Sequence, residues 1–221
     1  METIFNNLLN EQYKLKSNRG KIISIEGIDG AGKTTVVEKC VSILNQQGYK
    51  AIHFFTSSDF NIYWNVVKKA IDNDCINNNI NQLLHNVAFL TYLNSIFISL
   101  LNEYDYVVSE WYIFGKMVLT EIYTNSDSSN ALKMLTLELK KGGIIFPDYS
   151  FFIDTKPELA RSRILKRNSK IESKESLIML KRAYYIWQKY IDEYSITKID
   201  GSLTVDEITS KVLHKVLKYE K

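Results

Sequence analysis

The chain has 221 residues, of which 45% are hydrophobic and 12% aromatic. This length and apolar fraction suit one globular domain with a substantial core and exclude an intrinsically disordered protein. The formal net charge of +3 is small, so the composition requires neither a nucleic acid nor a membrane partner.

In chain order, apolar runs of strand length alternate with longer amphipathic segments, as in a parallel sheet whose strands are joined by helices. Strands are predicted at residues 21–26, 51–55, 106–109, 149–153 and 196–199. Helices are predicted at residues 33–47, 81–103, 157–167, 176–194 and 205–219. We therefore expect an α/β fold in one domain, residues 21–221.

Residues 1–20 precede the first predicted strand. Ile4, Phe5, Leu8 and Leu9 are spaced like one face of a helix. We expect this N-terminal extension to be a packing or oligomerisation element and to take no part in catalysis.

Two predicted helices begin with a capping-box pattern. Thr155 is followed three residues later by Glu158, and Thr204 by Glu207. In such a pair the hydroxyl and the carboxylate bond the free amides of the first helical turn. Both helix starts are predicted on this basis.

The stretch IISIEGIDGAGKTT at residues 22–35 joins the first strand to the first helix. Gly27, Gly32, Lys33 and Thr34 fit the pattern G-x-x-x-x-G-K-[ST], whose backbone amides surround phosphate oxygens at a helix start. Lys33 would neutralise the β and γ phosphates, and the Thr34 hydroxyl would coordinate magnesium. The predicted ATP-binding residues are Gly27, Ile28, Asp29, Gly30, Ala31, Gly32, Lys33, Thr34 and Thr35.

Four stretches resemble the thymidylate kinases, a family of P-loop nucleotide kinases. IEGIDGAGKTT at 25–35 is similar to the family's phosphate loop, and VVSEWYIFG at 107–115 to its third strand. PDYSFFIDTKPELARSRILKR at 147–167 is similar to its fourth strand, helix and lid entry, and IDG at 199–201 to its C-terminal end. The resemblance covers nearly all of residues 20–221.

The resemblance implies a three-layer fold: a five-stranded parallel sheet with helices on both faces, and a mobile lid at about residues 163–175. It also implies Mg²⁺ with ATP as phosphoryl donor, and a homodimer. Gly30 after the loop aspartate is similar to the bacterial-type enzymes, which supply the catalytic arginine from the lid. Arg163 and Arg167 match the family's arginine positions, so both are predicted to be catalytic, together with Lys33, Asp29 and Glu110.

The acceptor side departs from the family pattern. Glu110 and Trp111 stand where the family has Asp and Arg, and no arginine occurs between Gly20 and Ala160. Glu110 can still serve magnesium or its waters, since a longer carboxylate does the same job. Lys68, Lys69 and Lys116 are candidates to replace the lost charge, although each alone is more typical of a surface lysine. The predicted acceptor-binding residues are Asp29, Asp59, Phe89, Trp111 and Tyr112; Thr34 and Glu110 are the predicted metal ligands.

Three functions fit these residues. The first is a nucleoside monophosphate kinase that transfers the γ-phosphoryl of ATP to dTMP or a related nucleotide. The second is a deoxynucleoside kinase, which needs no arginine for an acceptor phosphate but does need a base for the 5′-hydroxyl, for which Asp59 is the candidate. The third is a diverged nucleotide-binding protein or a kinase of an unusual acceptor.

The cysteines and the hydropathy of the chain bear on its location in the cell. Cys40 and Cys75 are far apart and fit reduced thiols better than a disulfide. No stretch approaches the roughly 20 apolar residues of a membrane span. We expect a cytoplasmic enzyme that acts on small-molecule nucleotides, with no nucleic acid or membrane partner.

Overall fold

A computed structural model describes residues 18–54, 96–123, 145–167 and 175–218. Within these ranges five strands form one sheet, in which every neighbouring pair is parallel. The strands are β1 (Lys21–Glu26), β2 (Ala51–Phe54), β3 (Tyr106–Glu110), β4 (Tyr149–Asp154) and β5 (Thr197–Asp200). Their order across the sheet is β2-β3-β1-β4-β5.

Five helices with both ends in the described ranges accompany the sheet. They are α1 (Lys33–Gln46), α2 (Ile113–Tyr123), α3 (Pro157–Arg167), α4 (Leu177–Glu193) and α5 (Val205–Lys218). Residues 96–103 are also helical and lead into β3. No helix in the described part of the chain combines the length and hydropathy needed to cross a membrane.

The strand order indicates where a ligand site is expected, at the carboxyl ends of the central strands. β1 pairs with β3 on one side and with β4 on the other, so the chain reverses its direction of travel across the sheet at β1. In open parallel sheets, ligands bind beyond the carboxyl ends of the strands at such a reversal. The loop after β1 and the residues that end β3 lie at this point, since Ile25 is in register with Glu110.

Helices pack on the sheet through large apolar side chains. Trp187 of α4 is fully buried against Phe152 of β4, with the ring centroids 5.1 Å apart. Helix α4 also contacts α2 and α3, whereas α1 contacts α5. Among the aromatic residues of α4, Trp187 and Tyr190 are buried, whereas Tyr185 is 77% exposed.

The predicted α/β fold with a five-stranded parallel sheet is confirmed, and β1 and α3 have the predicted bounds. The other predicted elements differ from the structure by one residue at one or both of their described ends. Helix α2 is absent from the predicted elements, although its buried residues Ile113, Phe114, Met117, Val118 and Ile122 recur at helical spacing. The predicted strand end at residue 55 and helix start at residue 81 lie outside the described residues.

The two capping predictions have opposite outcomes. At α5 the box is confirmed: Glu207 Oε2 accepts from the Thr204 amide at 2.8 Å, and the Glu207 amide donates to Thr204 Oγ1 at 3.3 Å. At α3 it is wrong, because Pro157 begins the helix and Thr155 lies one residue too early to cap it. Glu158 instead pairs with Lys181 at 2.9 Å, and the buried Thr155 hydroxyl has no hydrogen-bond partner among the described residues.

This contrast gives a matched pair of variants. Thr204→Ala removes a working cap and should lower the free energy of unfolding by about 1 kcal/mol. Thr155→Val replaces an unbonded buried hydroxyl by a methyl group and should leave stability unchanged or raise it. Urea unfolding of both variants measures this. An equal decrease in the free energy of unfolding for the two variants would contradict the assignment of Thr204, and not Thr155, as a helix cap.

Candidate functional site

The loop after β1 has the backbone of an anion site. Gly30 and Gly32 adopt left-handed conformations, with φ of 79° and 92°, that glycine reaches without strain. Gly32 immediately precedes α1, so the free amides of the first helical turn face the same side as the loop. The predicted ATP-binding residues 27–35 therefore lie together around a helix N-terminus that favours negative charge.

Lys33 begins α1 and is only 5% exposed. Its Nζ donates to the carbonyl of Ile28 at 2.9 Å, which closes the loop on itself. Burial lowers the pKa of this ammonium, while the nearby carboxylates of Asp29, Glu110 and Glu26 oppose that shift. The result is a desolvated positive charge inside the loop, where its interaction with an anion is strong.

Thr34 and Glu110 meet across the sheet edge. The Thr34 hydroxyl donates to Glu110 Oε2 at 2.9 Å, and His53 Nε2 of β2 lies 3.5 Å from Glu110 Oε1. Burial alone would raise the pKa of Glu110, but the contacts with His53, Thr34 and Lys33 hold it below its usual value. Glu110 is therefore an ionised carboxylate beside the loop.

This pair of oxygens fits magnesium. Mg²⁺ prefers oxygen ligands and usually takes one or two from the protein, the others coming from phosphates and water. The described residues contain no group of three or more His, Cys, Asp or Glu side chains that could enclose a metal on their own. Thr34 and Glu110 thus suit a metal that arrives with a phosphate ligand.

Glu26, the last residue of β1, is a fully buried carboxyl group under the loop. Its Oε1 accepts from Ser24 Oγ at 2.6 Å and from the amide of Tyr112 at 3.1 Å. Burial raises its pKa from 4.5 to about 7, against opposing effects of Ser24, Lys33 and backbone amides. Through this side chain the end of β1 holds the turn that follows β3.

The predicted catalytic arginines lie at different depths. Arg163 is half-buried and donates to the carbonyl of Gly201 at 2.9 Å and more weakly to that of Ala31 at 3.4 Å. Arg167, at the end of α3, is largely exposed and lies 3.4 Å from the buried carboxylate of Glu175. Its charge acts on the pKa of Lys33, so it lies within electrostatic reach of the loop.

The acceptor predictions are only partly within the described structure. Asp29 and Trp111 lie at the loop, with the Lys33 Nζ 4.6 Å from the Trp111 ring centroid. The structure places Tyr112 differently from the prediction: its side chain is 1% exposed and donates to the carbonyl of Ile145 at 2.6 Å, because the ring packs in the core. Asp59 and Phe89, like Lys68 and Lys69, lie outside the described residues.

Two neighbours of the site were not among the predicted residues. His53 stands in β2, where the sequence shows only one polar residue in an apolar strand. Glu26 had a stronger signal, since it ends an apolar strand and carboxylates are rarely buried without a partner. The half-buried Lys116, in α2, has a pKa lowered to about 7 by burial, so it is no ordinary surface lysine.

Comparisons with known proteins agree with this geometry. A family model described as Thymidylate kinase matches residues 25–212. The chain is 28% identical over 203 residues to a probable thymidylate kinase of Methanosarcina barkeri, covering 91% of this chain and 98% of that protein. It is 26% identical over 212 residues to a thymidylate kinase of Legionella pneumophila, covering 90% and 94%. The matched range runs from β1 into α5 and so contains the whole site.

The buried Glu26 carboxyl predicts a pH-dependent stability. Because its folded pKa is about 7 and its reference value 4.5, the folded state holds the proton more tightly than the unfolded state. Glu26 then contributes stability that is present at low pH and lost as the pH rises through about 7. Relative to wild type, Glu26→Gln should gain roughly 1–2 kcal/mol of unfolding free energy between about pH 5.5 and about pH 8.

Urea titrations of both proteins across this pH range measure the difference. The pH-independent effect of the substitution on the free energy of unfolding cancels, because only the change of that free energy with pH is compared. Glu158→Gln is the control, since Glu158 is exposed on α3. A pH-independent difference for Glu26→Gln would contradict the raised pKa.

Proposed function

The chain belongs to the thymidylate kinase family, and from that membership we propose that it is an ATP-dependent nucleotide kinase that transfers the γ-phosphoryl group of ATP to dTMP. The observation that carries the proposal is the buried Lys33 ammonium, held inside a glycine-rich loop at the start of α1. The family match spans this loop and the sheet edge beside it. The sequence-based alternatives, a deoxynucleoside kinase and a non-catalytic nucleotide-binding protein, are not favoured by that match.

In this mechanism an oxygen of the acceptor phosphate attacks the γ-phosphorus in line, while the bond from that phosphorus to the β–γ bridging oxygen breaks and ADP leaves. The acceptor is already an anion, so no strong base is required. The protein contributes position and positive charge, which account for most of the catalysis of phosphoryl transfer. Lys33 would hold the β and γ phosphates, and Arg167 would meet the charge on the transferring group from the end of α3. Asp29, at the loop, would help to position the reacting groups.

Thr34 and Glu110 would hold the magnesium ion. Mg²⁺ supplies neutralisation of the β and γ oxygens when it is bound with ATP. The Thr34 hydroxyl would be a direct ligand, and Glu110 would bind the ion or its waters. The contact of 2.9 Å between the two side chains supports a shared role.

Arg163 would organise the donor site. Its bonds to the carbonyls of Ala31 and Gly201 link the phosphate loop to the turn after β5. We place the lid at about residues 163–175; residues 163–167 are the last part of α3 and residues 168–174 lie outside the described ranges. Residues 1–20 would be a separate extension from the kinase domain at 21–221.

The proposal includes a homodimer and a cytoplasmic location. The resemblance to thymidylate kinases supports the dimer, which light scattering after size-exclusion chromatography would measure. The free thiol of Cys40 supports the location, because disulfides are rare in cytosolic proteins. Burial raises the pKa of Cys40 to about 12, so this thiol is unreactive.

A panel of acceptors tests the proposed function. Purified protein is incubated with ATP, MgCl₂ and dTMP, dUMP, dCMP, thymidine or deoxycytidine, and ADP formation and phosphorylated products are measured. We expect transfer to dTMP to exceed transfer to either nucleoside. Transfer only to nucleosides, or no transfer to any acceptor, would contradict the proposal.

Lys33→Ala should reduce the turnover of dTMP by at least about a hundredfold, because it removes a charge aimed at the transferring group. The matched control is Lys39→Ala, on the same helix, whose side chain is partly exposed and pairs with Asp206. The control should retain nearly full activity. Circular dichroism and thermal unfolding establish that both variants are folded. An active, folded Lys33→Ala would refute the site assignment.

A further inference from the structure

Trp111 contacts Lys33 in an arrangement that neither the family match nor the proposed mechanism explains. The ammonium of Lys33 lies over the indole face, 4.6 Å from the ring centroid. Positive charge is attracted to the face of an aromatic ring, and Trp is the strongest partner for it. Lys33 is therefore held from two sides, by the Ile28 carbonyl at 2.9 Å and by the Trp111 ring.

The backbone at Trp111 is strained. Its φ of 56° is a left-handed conformation that costs a bulky residue free energy. Such conformations persist only where the surrounding structure determines them, and they concentrate at functional sites. Among the described non-glycine residues, only Trp111 and Ser195 have positive φ, and Trp111 is the one beside the phosphate loop.

Two neighbours hold this conformation. The amide of Tyr112, the next residue, donates to the buried carboxylate of Glu26 at 3.1 Å. Gly115 leaves the space that the indole fills: a Cβ at position 115 would lie 2.7 Å from Trp111 Cε3 and 2.8 Å from Glu26 Oε2. The ring is thus built into the sheet edge by β1 on one side and by α2 on the other.

We propose that Trp111 is a positioning residue for Lys33: its ring keeps the ammonium dry and directed at the phosphates of the bound nucleotide. One face of the ammonium is covered by the indole and one N–H is bonded to Ile28, which leaves the remaining donors for phosphate oxygens. A charge without competing water attracts phosphate more strongly. The inference rests on the proposed donor function and adds a specific task for an aromatic residue that stands where the family has an arginine.

The test separates the ring from the backbone turn. Trp111→Phe keeps a ring with a weaker attraction for cations, whereas Trp111→Asn suits a left-handed backbone but has no ring. Calorimetry with adenylyl imidodiphosphate and MgCl₂ measures nucleotide affinity without turnover. We expect losses of about threefold for Trp111→Phe and about tenfold or more for Trp111→Asn. Tyr185→Asn is the control, because it makes the same kind of change at a residue that is 77% exposed on α4, and it should bind as wild type does.

The contact itself is measured without nucleotide. In protein labelled with ¹³C at the lysine ε carbon, the ring current of Trp111 should move the Lys33 methylene signal upfield, and Lys33→Arg identifies that signal. The upfield shift should decrease in Trp111→Phe and vanish in Trp111→Asn, while the other lysine signals stay in place.

The outcomes are distinguishable. An unshifted Lys33 signal, or equal affinity of wild type and Trp111→Asn, overturns the inference and leaves the proposed function standing if wild type binds the nucleotide. A folded wild type that binds no nucleotide overturns the proposed function and the positioning role together. Equal losses for Phe and Asn would also overturn it, because the ring would then not be what matters.

Discussion

The ammonium of Lys33 is buried where three carboxylates, a carbonyl and an aromatic ring surround it, and the site depends on how that charge is compensated. A buried charge is costly unless it is paired or solvated by fixed dipoles. Here Asp29 and Glu110 provide negative potential, joined by Glu26 when its carboxyl group is ionised, and Ile28 accepts a hydrogen bond. The positive charge of Lys33 is compensated by several groups together. No single salt bridge therefore competes with an incoming phosphate for its ammonium.

The same compensation ties the site to the sheet. Glu26 ends β1, and Glu110 ends β3 in the adjacent strand, so both carboxylates are fixed by strand register. Glu26 bonds the turn after β3, and Glu110 contacts both Thr34 of α1 and His53 of β2. The geometry around Lys33 therefore depends on three adjacent strands, from the central strand β1 through β3 to the edge strand β2.

The sequence was sufficient for the fold and for the glycine-rich turn before α1, because both rest on local patterns. The apolar pattern of each strand or helix, and the glycines before Lys33, each involve residues that are close together in the sequence. Helix α2 was not predicted, although its buried apolar residues recur at helical spacing from Ile113 to Ile122. The contact between Trp111 and Lys33, the side chain of Tyr112 in the core and the partner of Glu158 all depend on packing between distant segments. The absence of arginine between Gly20 and Ala160 can be read from the sequence. The contact of the Trp111 ring with the Lys33 ammonium cannot, because it forms only in the folded chain.

Gly30 constrains where this enzyme can carry its positive charge. A Cβ at that position would lie 2.5 Å from the carbonyl of Ala160 in α3, and the backbone has a φ of 79°. A side chain there would displace α3 from the loop, so a cationic residue cannot be introduced next to Asp29 by a single substitution. An arginine at position 30 would therefore need a compensating movement of α3 in addition to a strained backbone.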